Sequence, residues 1–289
     1  MLIHRDELPK SFKIDIPEIY QVEVSSVCNY DCIMCPRNLY ERKDKTPFID
    51  INLVKKLVDE GAFEGSYFVE LQMTGEPLLY PNIGDVIHLI KSTNVKVGLS
   101  TNGSLIHKKI DELSELDYMT ISVDSISDYS SIRRKGNIDQ LLSNIDIMRG
   151  TRTSIDLQVV ELEGWEKEFA AVKRMFPDMY VRSINDCWLA IRFPVDALPV
   201  STDICMNPWM SVSIQSNGNV VPCCFNFWDD IIYGNVKYNT LKEIWEGKKV
   251  KALRKQHEDK KYSPICAKCY MRSPTFLHWN IFNKSIKGR

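Results

Sequence analysis

Six runs of alternating or β-branched apolar residues recur along the first two thirds of the chain: "IYQVEVS" from Ile19, "SYFVELQM" from Ser66, "VKVGLS" from Val95, "YMTISVD" from Tyr118, "SIDLQVVEL" from Ser154 and "MYVRSIND" from Met179. Helix-period segments lie between them. One puts Leu53, Val54, Leu57 and Val58 on a single face behind a capping Asp50. Others carry Ile83, Val86, Ile87 and Ile90, then Ile138, Leu141, Leu142 and Ile145, then Phe169, Val172 and Phe176. Strand and helix in strict alternation predict an α/β fold with a parallel sheet and helices outside it. Right-handed crossovers curl such a sheet, so the expectation is a partial (β/α)6 barrel of the TIM type. No repeat is visible at the level of sequence.

The polar positions within these strands change that picture. A parallel strand covered on both faces should be apolar on both. Here Gln21, Glu23 and Ser25 share one face, as do Glu70 and Gln72, and Asp156 and Gln158. Three strands with a polar face predict a lumen that is lined for a ligand, where barrel cores are normally filled by branched apolar side chains.

The periodicity stops at "RFPVDALPVSTDI", residues 192–204, with two prolines. The expected organisation is an N-terminal extension over 1–17, a barrel over 18–191, a linker over 192–204 and a small α+β domain over 205–289. In the last unit, "SVSIQSNGNVVPCC" predicts a hairpin turning at Asn217-Gly218. "TLKEIWEGKKVKALRKQ" predicts one helix, opened by Thr240 and Glu243 at capping-box spacing. Its lysines form a solvated face.

The 289 residues carry a net charge of −1 and 44% hydrophobic residues, enough for a sizeable core and no field that would draw nucleic acid. No run approaches the ~20 apolar residues of a membrane span, and "MLIHRDELPKSFK" has no apolar signal core. The expected location is the cytoplasm. Nine cysteines, at 28, 32, 35, 187, 205, 223, 224, 266 and 269, are then thiols or metal ligands and not a disulfide framework.

Cys28, Cys32 and Cys35 stand as C-x3-C-x2-C in a loop directly after the first strand. Thiolates select zinc, Cu(I) or iron–sulfur clusters. A structural zinc takes four closed ligands, whereas three thiolates on a four-iron cluster leave one iron open. The loop, followed in order by "MTGEPLL" at Met73, "LSTNG" at Leu99 and "SVDS" at Ser122, each at a strand end, resembles the radical S-adenosylmethionine (SAM) superfamily. The resemblance implies a catalytic [4Fe–4S] cluster on these three cysteines. It also implies SAM contacts from Gly75, Glu76 and Pro77, Ser100 and Asn102, and Ser122, with Arg133 or Arg134 as partner of the SAM carboxylate. Met34 departs from the family, which usually has an aromatic residue before the third cysteine, near adenine.

Cys205, Cys223, Cys266 and Cys269 surround the hairpin and a later turn. C-x2-C by itself fits a zinc ribbon. The whole pattern resembles the C-terminal extension of SPASM and twitch radical SAM proteins, which implies one auxiliary [4Fe–4S] cluster on these four residues. Cys224 is the alternative to Cys223.

The resemblance implies a redox enzyme that cleaves SAM reductively and takes a hydrogen atom from a substrate. It also implies a flavodoxin- or ferredoxin-type electron donor. Its single auxiliary cluster is most like that of radical dehydrogenases acting on aminocyclitols. The expected reaction is a two-electron oxidation of a small polar substrate, a sugar or aminocyclitol, since only about 18 residues precede the first strand and no leader-binding domain is expected there. The alternatives are a peptide-modifying maturase or epimerase, and a non-catalytic metal-stabilised binding module. Cys187, just past the sixth strand, is a candidate hydrogen donor at the active face.

Overall fold

In the computed structural model of the chain, the described residues are 16–17, 19–38, 46–162, 165, 167–185, 205–226, 229–267 and 269. Cys187 and the linker 192–204 lie outside them.

All six expected strands form: β1 Ile19–Val22, β2 Phe68–Glu70, β3 Lys96–Thr101, β4 Tyr118–Ser122, β5 Ser154–Glu161 and β6 Tyr180–Asn185. Each pairs in parallel with the next in sequence. The hairpin strands are β7 Ser211–Ile214 and β8 Asn219–Val221, joined by a short β9 Gly234–Asn235. Gly218, at φ +87°, makes the turn, a backbone state that L side chains adopt only with strain.

The outward positions of the strands make the core. Tyr20 and Val22, Val69, Val97 and Leu99, Met119 and Ile121, and Leu157 and Val159 are at most 1% exposed. They pack beneath helices Ile51–Asp59, Ile83–Lys91, Ile138–Arg149 and Glu168–Met175. Those helices bury the apolar faces read from the sequence: Leu53, Val54 and Leu57; Ile83, Val86, Ile87 and Ile90; Leu141 and Ile145; Val172. Asp50 caps the first of them by accepting from Asn52 N. Alternation puts the other residues of each strand on the opposite face.

The C-terminal unit joins the barrel's sheet: β7 pairs in parallel with β1, so one nine-stranded sheet runs β6-β5-β4-β3-β2-β1-β7-β8-β9. One expectation changes. The basic segment is two helices, Leu241–Trp245 and Lys248–Glu258, because Gly247 leaves the helical conformation (ψ 164°) and begins the second. The capping box of Thr240 and Glu243 is present as read.

Glu23, with no exposure, joins the two units. Its carboxylate accepts from Thr74 Oγ1 in the loop after β2, and from Ser216 N in the hairpin turn at 3.0 Å. Glu23→Ala strands buried donors in both units and should cost about 2–4 kcal/mol in denaturant unfolding of the apoprotein. Lys55→Ala on the exposed helix face should stay within about 0.5 kcal/mol.

Candidate cluster and substrate site

The three-cysteine loop is held from two sides. Asp31 N donates to Arg134 O (3.2 Å) and Ile33 N to Ile132 O (3.0 Å), fastening the loop to the segment after β4. Cys35 N and Asn38 Nδ2 both donate to Cys32 O, at 3.0 and 2.6 Å, which folds the chain back on itself. Each thiol thereby sits in the field of another: Cys28 with Cys32, Cys32 with Cys35, and Cys35 with Cys28. Burial pushes all three thiols up; the positive charge of Arg37 and Arg133 only partly opposes it. Thiolates in so dry a place need the positive charge of metal ions, which suits an iron–sulfur cluster. Met34 is buried at 4% exposure.

The later motifs close around this loop. Gly75 is required by proximity: a Cβ there would stand 2.1 Å from Ser25 O and 2.6 Å from Val27 O. Glu76 N donates to Val27 O at 2.8 Å, and Pro77 starts a 3-10 turn. The Glu76 carboxylate, 2% exposed, is more occupied than its expected role suggests. It accepts from Thr101 Oγ1 (2.6 Å), Asn102 N (2.8 Å) and Leu78 N (3.1 Å), so it clamps "GEP" to "TNG". Oε2 takes one of these bonds and keeps capacity for another donor. Asn102 Nδ2 donates to Asn29 Oδ1 at 2.9 Å and lies 3.9 Å from Cys28 Sγ, beside the cluster loop. Ser122 ends β4 and is 8% exposed.

Of the two candidate arginines, Arg134 is exposed and Arg133 is buried. Arg133 Nε pairs with Asp124 Oδ2 at 2.5 Å, and Asp124 is anchored in turn by Val160 N at 2.7 Å. Burial works against the Arg133 charge, but Asp124 and Cys32 outweigh it and raise its pKa. Asp124 and Asn29 had no signal in the sequence; their roles come from loops that meet only in the fold.

Inside the barrel, register partners share one face. Gln21, Glu70 and Ser213 are level across β1, β2 and β7; Ser100, Thr120 and Asp156 across β3 to β5; Gln158 and Arg182 across β5 and β6. Glu70 accepts from Ser100 Oγ at 2.8 Å and from Gln21 Nε2 at 3.4 Å. Ser213 Oγ donates to Gln21 Oε1 at 2.9 Å, and Arg182 donates to Thr120 Oγ1 at 3.0 Å. Burial raises the Glu70 carboxyl; Ser100, Arg182 and Gln21 counter it.

The second cysteine group surrounds a cavity of about 40 Å3 lined by Cys205, Cys223, Cys266 and Cys269, with Pro208 and Leu253 among the walls. That is more than the ~10–15 Å3 one water needs. A single zinc draws four sulfurs to about 3.8 Å of one another, given its bond length of about 2.3 Å. Among the described residues no three Cys, His, Asp or Glu side chains are grouped closely enough to hold one metal ion. Four thiolates lining one cavity are a donor set that fits an iron–sulfur cluster.

The neighbouring cysteines 223 and 224 stand in different environments. Cys223 lines this cavity and lies in the field of Cys269 and Cys205. Cys224 faces the barrel: its thiol is hydrogen-bonded with Gln21 and feels Glu70, and burial pushes it up to about 12. The eight described cysteines are free thiols. Replacing Cys223 by Ser should lower iron to that of the first site, while Cys224→Ser should keep the full complement; iron and sulfide assays on reconstituted protein decide it.

Comparison with known proteins follows these two centres. The radical SAM superfamily model matches residues 22–157, and an iron–sulfur cluster-binding domain, SPASM, matches 205–270. The S-adenosyl-L-methionine-dependent 2-deoxy-scyllo-inosamine dehydrogenase of Niallia circulans is 25% identical over 261 residues, 86% of this chain and 91% of that protein. A GTP 3′,8-cyclase of Vibrio cholerae is 31% identical over 134 residues, 44% of this chain; the chain spans only 40% of that relative's length. Among solved structures, BtrN in complex with AdoMet and 2-DOIA superposes with a TM-score of 0.62 at 20% identity, over 88% of this chain and 93% of that one. Native anSMEcpe with bound AdoMet gives 0.66 at 16% identity, over 88% and 89%. At such identities the structural likeness establishes the fold: a partial barrel with an appended cluster domain. Among the described residues no helix is long and apolar enough to cross a membrane. With both family matches falling on the two cysteine centres, the chain carries the domain of the radical SAM superfamily followed by a C-terminal SPASM iron–sulfur cluster-binding domain.

Proposed function

We propose that the protein dehydrogenates a small substrate rich in hydroxyl and amino groups, an aminocyclitol or amino sugar, in the barrel lumen. The observation that carries this reading is the lumen wall: Gln21, Glu70, Ser100, Thr120, Arg182 and Ser213 offer donors and acceptors from six strands. A peptide side chain would not need so many. The dehydrogenase relative, matched over 86% of the chain, supports the same reading. The proposed place of work is the reducing cytoplasm, where thiols that serve as cluster ligands are not drawn into disulfides. A flavodoxin- or ferredoxin-type protein is the proposed electron donor.

Cys28, Cys32 and Cys35 would hold the cluster that, with SAM, supplies a 5′-deoxyadenosyl radical able to take a substrate hydrogen atom. Cys205, Cys223, Cys266 and Cys269 would hold a second, fully ligated cluster able to accept one electron. The protein's own part is placement and exclusion of water. Glu76, Gly75 and Pro77, Ser100 and Asn102, and Ser122 are the proposed SAM contacts. Arg133, buried beside Cys32, is the proposed partner of its carboxylate, because a guanidinium fork suits a carboxylate. Glu70 and Arg182 give the substrate one acidic and one basic anchor, and Glu70 can accept a hydroxyl proton as the carbonyl forms. Cys187, the candidate offered by the sequence, remains a proposed hydrogen donor in a competing, redox-neutral outcome, and Cys224, a protonated thiol at the lumen, is the other.

Changing Cys28, Cys32 and Cys35 together to Ala should remove about half the iron and end 5′-deoxyadenosine formation, since only an open iron engages SAM. Formation of 5′-deoxyadenosine by that variant would refute the first-site assignment.

The reaction is tested by anaerobic incubation with SAM, reductant and a panel that starts with 2-deoxy-scyllo-inosamine and includes other aminocyclitols and amino sugars. The expected product is two hydrogens lighter, with one SAM consumed per product. A product of unchanged formula carrying one solvent deuterium in deuterated water would replace dehydrogenation with epimerisation. Turnover of a peptide panel alone would move the reading to a maturase.

A further inference from the structure

Three side chains from two loops close a ring of hydrogen bonds beside the first cysteine group. Asn29 lies between Cys28 and Cys32, and Asn102 and Ser104 follow β3. Asn102 Nδ2 donates to Asn29 Oδ1 at 2.9 Å, Asn29 Nδ2 donates to Ser104 Oγ at 2.9 Å, and Ser104 Oγ donates to Asn102 Oδ1 at 2.7 Å. The ring has a single consistent set of donors. Ser104 N, which can only donate, also meets Asn102 Oδ1, at 2.9 Å. That atom is therefore the amide oxygen, and the other is the NH2 group. Asn29 must then turn its oxygen to Asn102 and its NH2 to Ser104.

The ring leaves Asn102 one hydrogen to place. Its oxygen accepts two bonds, both from Ser104, and one N–H goes to Asn29. The second N–H has Cys28 Sγ at 3.9 Å, within reach of a bond to a large sulfur atom. Tyr30 N donates to the same sulfur at 3.5 Å. A primary amide has two acceptor and two donor positions, so the protein uses all four of Asn102's. At 4% exposure the amide is also shielded from water. Turned over, it would set its oxygen against the sulfur and its NH2 against the Ser104 N–H, two repulsive contacts that the ring forbids.

We propose that Asn29 and Ser104 are positioning residues that hold the Asn102 amide with its remaining N–H on Cys28 Sγ, and that this bond raises the reduction potential of the SAM-binding cluster. The proposal rests on the reading that Cys28, Cys32 and Cys35 hold that cluster. With the amide fully used, the SAM contact proposed for Asn102 falls to its backbone carbonyl. Reduction adds negative charge that spreads over the cluster sulfurs, and hydrogen bonds donated to those sulfurs stabilise it. Asn102 thereby eases entry of the electron, and Asn29 and Ser104 act only through Asn102.

The test is a redox titration of the reconstituted holoprotein, without SAM or substrate, followed by electron paramagnetic resonance. In Asn102→Ala the first cluster's midpoint should become more negative, with iron content and the auxiliary midpoint unchanged. Its reduced signal should also lose one exchangeable proton coupling. Asn29→Ala and Ser104→Ala should shift the midpoint less, in the same direction. Ser104→Thr, which keeps the hydroxyl, should hold the wild-type value. Asn29→Ala should add nothing in the Asn102→Ala background, because residues acting through one bond are not additive. An unchanged midpoint in Asn102→Ala overturns the proposal, as do additive shifts in the double variant. Loss of first-site iron from Asn29→Ala or Ser104→Ala overturns it too, by making these assembly residues. A triple Cys28, Cys32 and Cys35 variant that keeps all its iron overturns the cluster reading first and this proposal with it. The predicted shifts in an enzyme that dehydrogenates none of the aminocyclitols would support this proposal and fail only the substrate reading.

Discussion

Everything in the site depends on one backbone pairing, β7 alongside β1. The six-stranded parallel sheet would otherwise end at β1 with unpaired backbone groups, the exposed edge that proteins generally cover. Here the hairpin covers it in register, Gln21 level with Ser213 and Val22 with Ile214. That pairing does more than close an edge. It brings Ser213 and the Cys223–Cys224 pair to the strand that runs into the three-cysteine loop, so the lumen acquires a wall from each unit. Glu23 then locks the register by reaching Thr74 on one side and Ser216 on the other. A slip of one residue would turn Gln21 and Glu23 outward and Tyr20 and Val22 into the lumen, exchanging a ligand wall for a core.

Much of this was legible in the sequence because the relevant signals are local. Strand alternation has period two, helix burial has period 3.6, and a Thr240–Glu243 spacing is a capping box in any context. The polar faces at Gln21, Glu70 and Asp156 were legible for the same reason, and the structure puts all three inside. What escaped depends on residues far apart in the chain. Asp124 matters because Val160 and Arg133 converge on it. Asn29 matters because Asn102 arrives beside it, 73 residues later. The helix break at Gly247 was written in the sequence and outvoted there by a long amphipathic run, a case where one backbone state overrides periodicity.

Glu76 shows where motif and geometry carry different information. The motif marks it as a ligand contact. The structure gives it three protein donors and a place between two loops. These roles are compatible: a carboxylate already held by Thr101, Asn102 and Leu78 cannot swing, so whatever else it contacts meets a fixed acceptor. Asn102 is held in the same way, between Asn29 and Ser104. The residues around the cluster loop hold one another in place through their own hydrogen bonds, and groups fixed in this way lower the ordering cost of binding.

The adjacent cysteines 223 and 224 carry the last step. In the turn after β8, one residue of sequence separates Cys223, which lines the cysteine cavity, from Cys224, which is hydrogen-bonded with Gln21 of the lumen. The two environments share a wall no thicker than the backbone between them. On the proposed reading, an electron leaving a substrate near Gln21 and Glu70 would pass the Gln21–Cys224 hydrogen bond and the peptide bond to Cys223 on its way to the auxiliary centre. The same closeness gives the lumen a protonated thiol. Whether a substrate radical loses an electron along that path or regains a hydrogen atom from that thiol then depends on the potential at the far side of the wall.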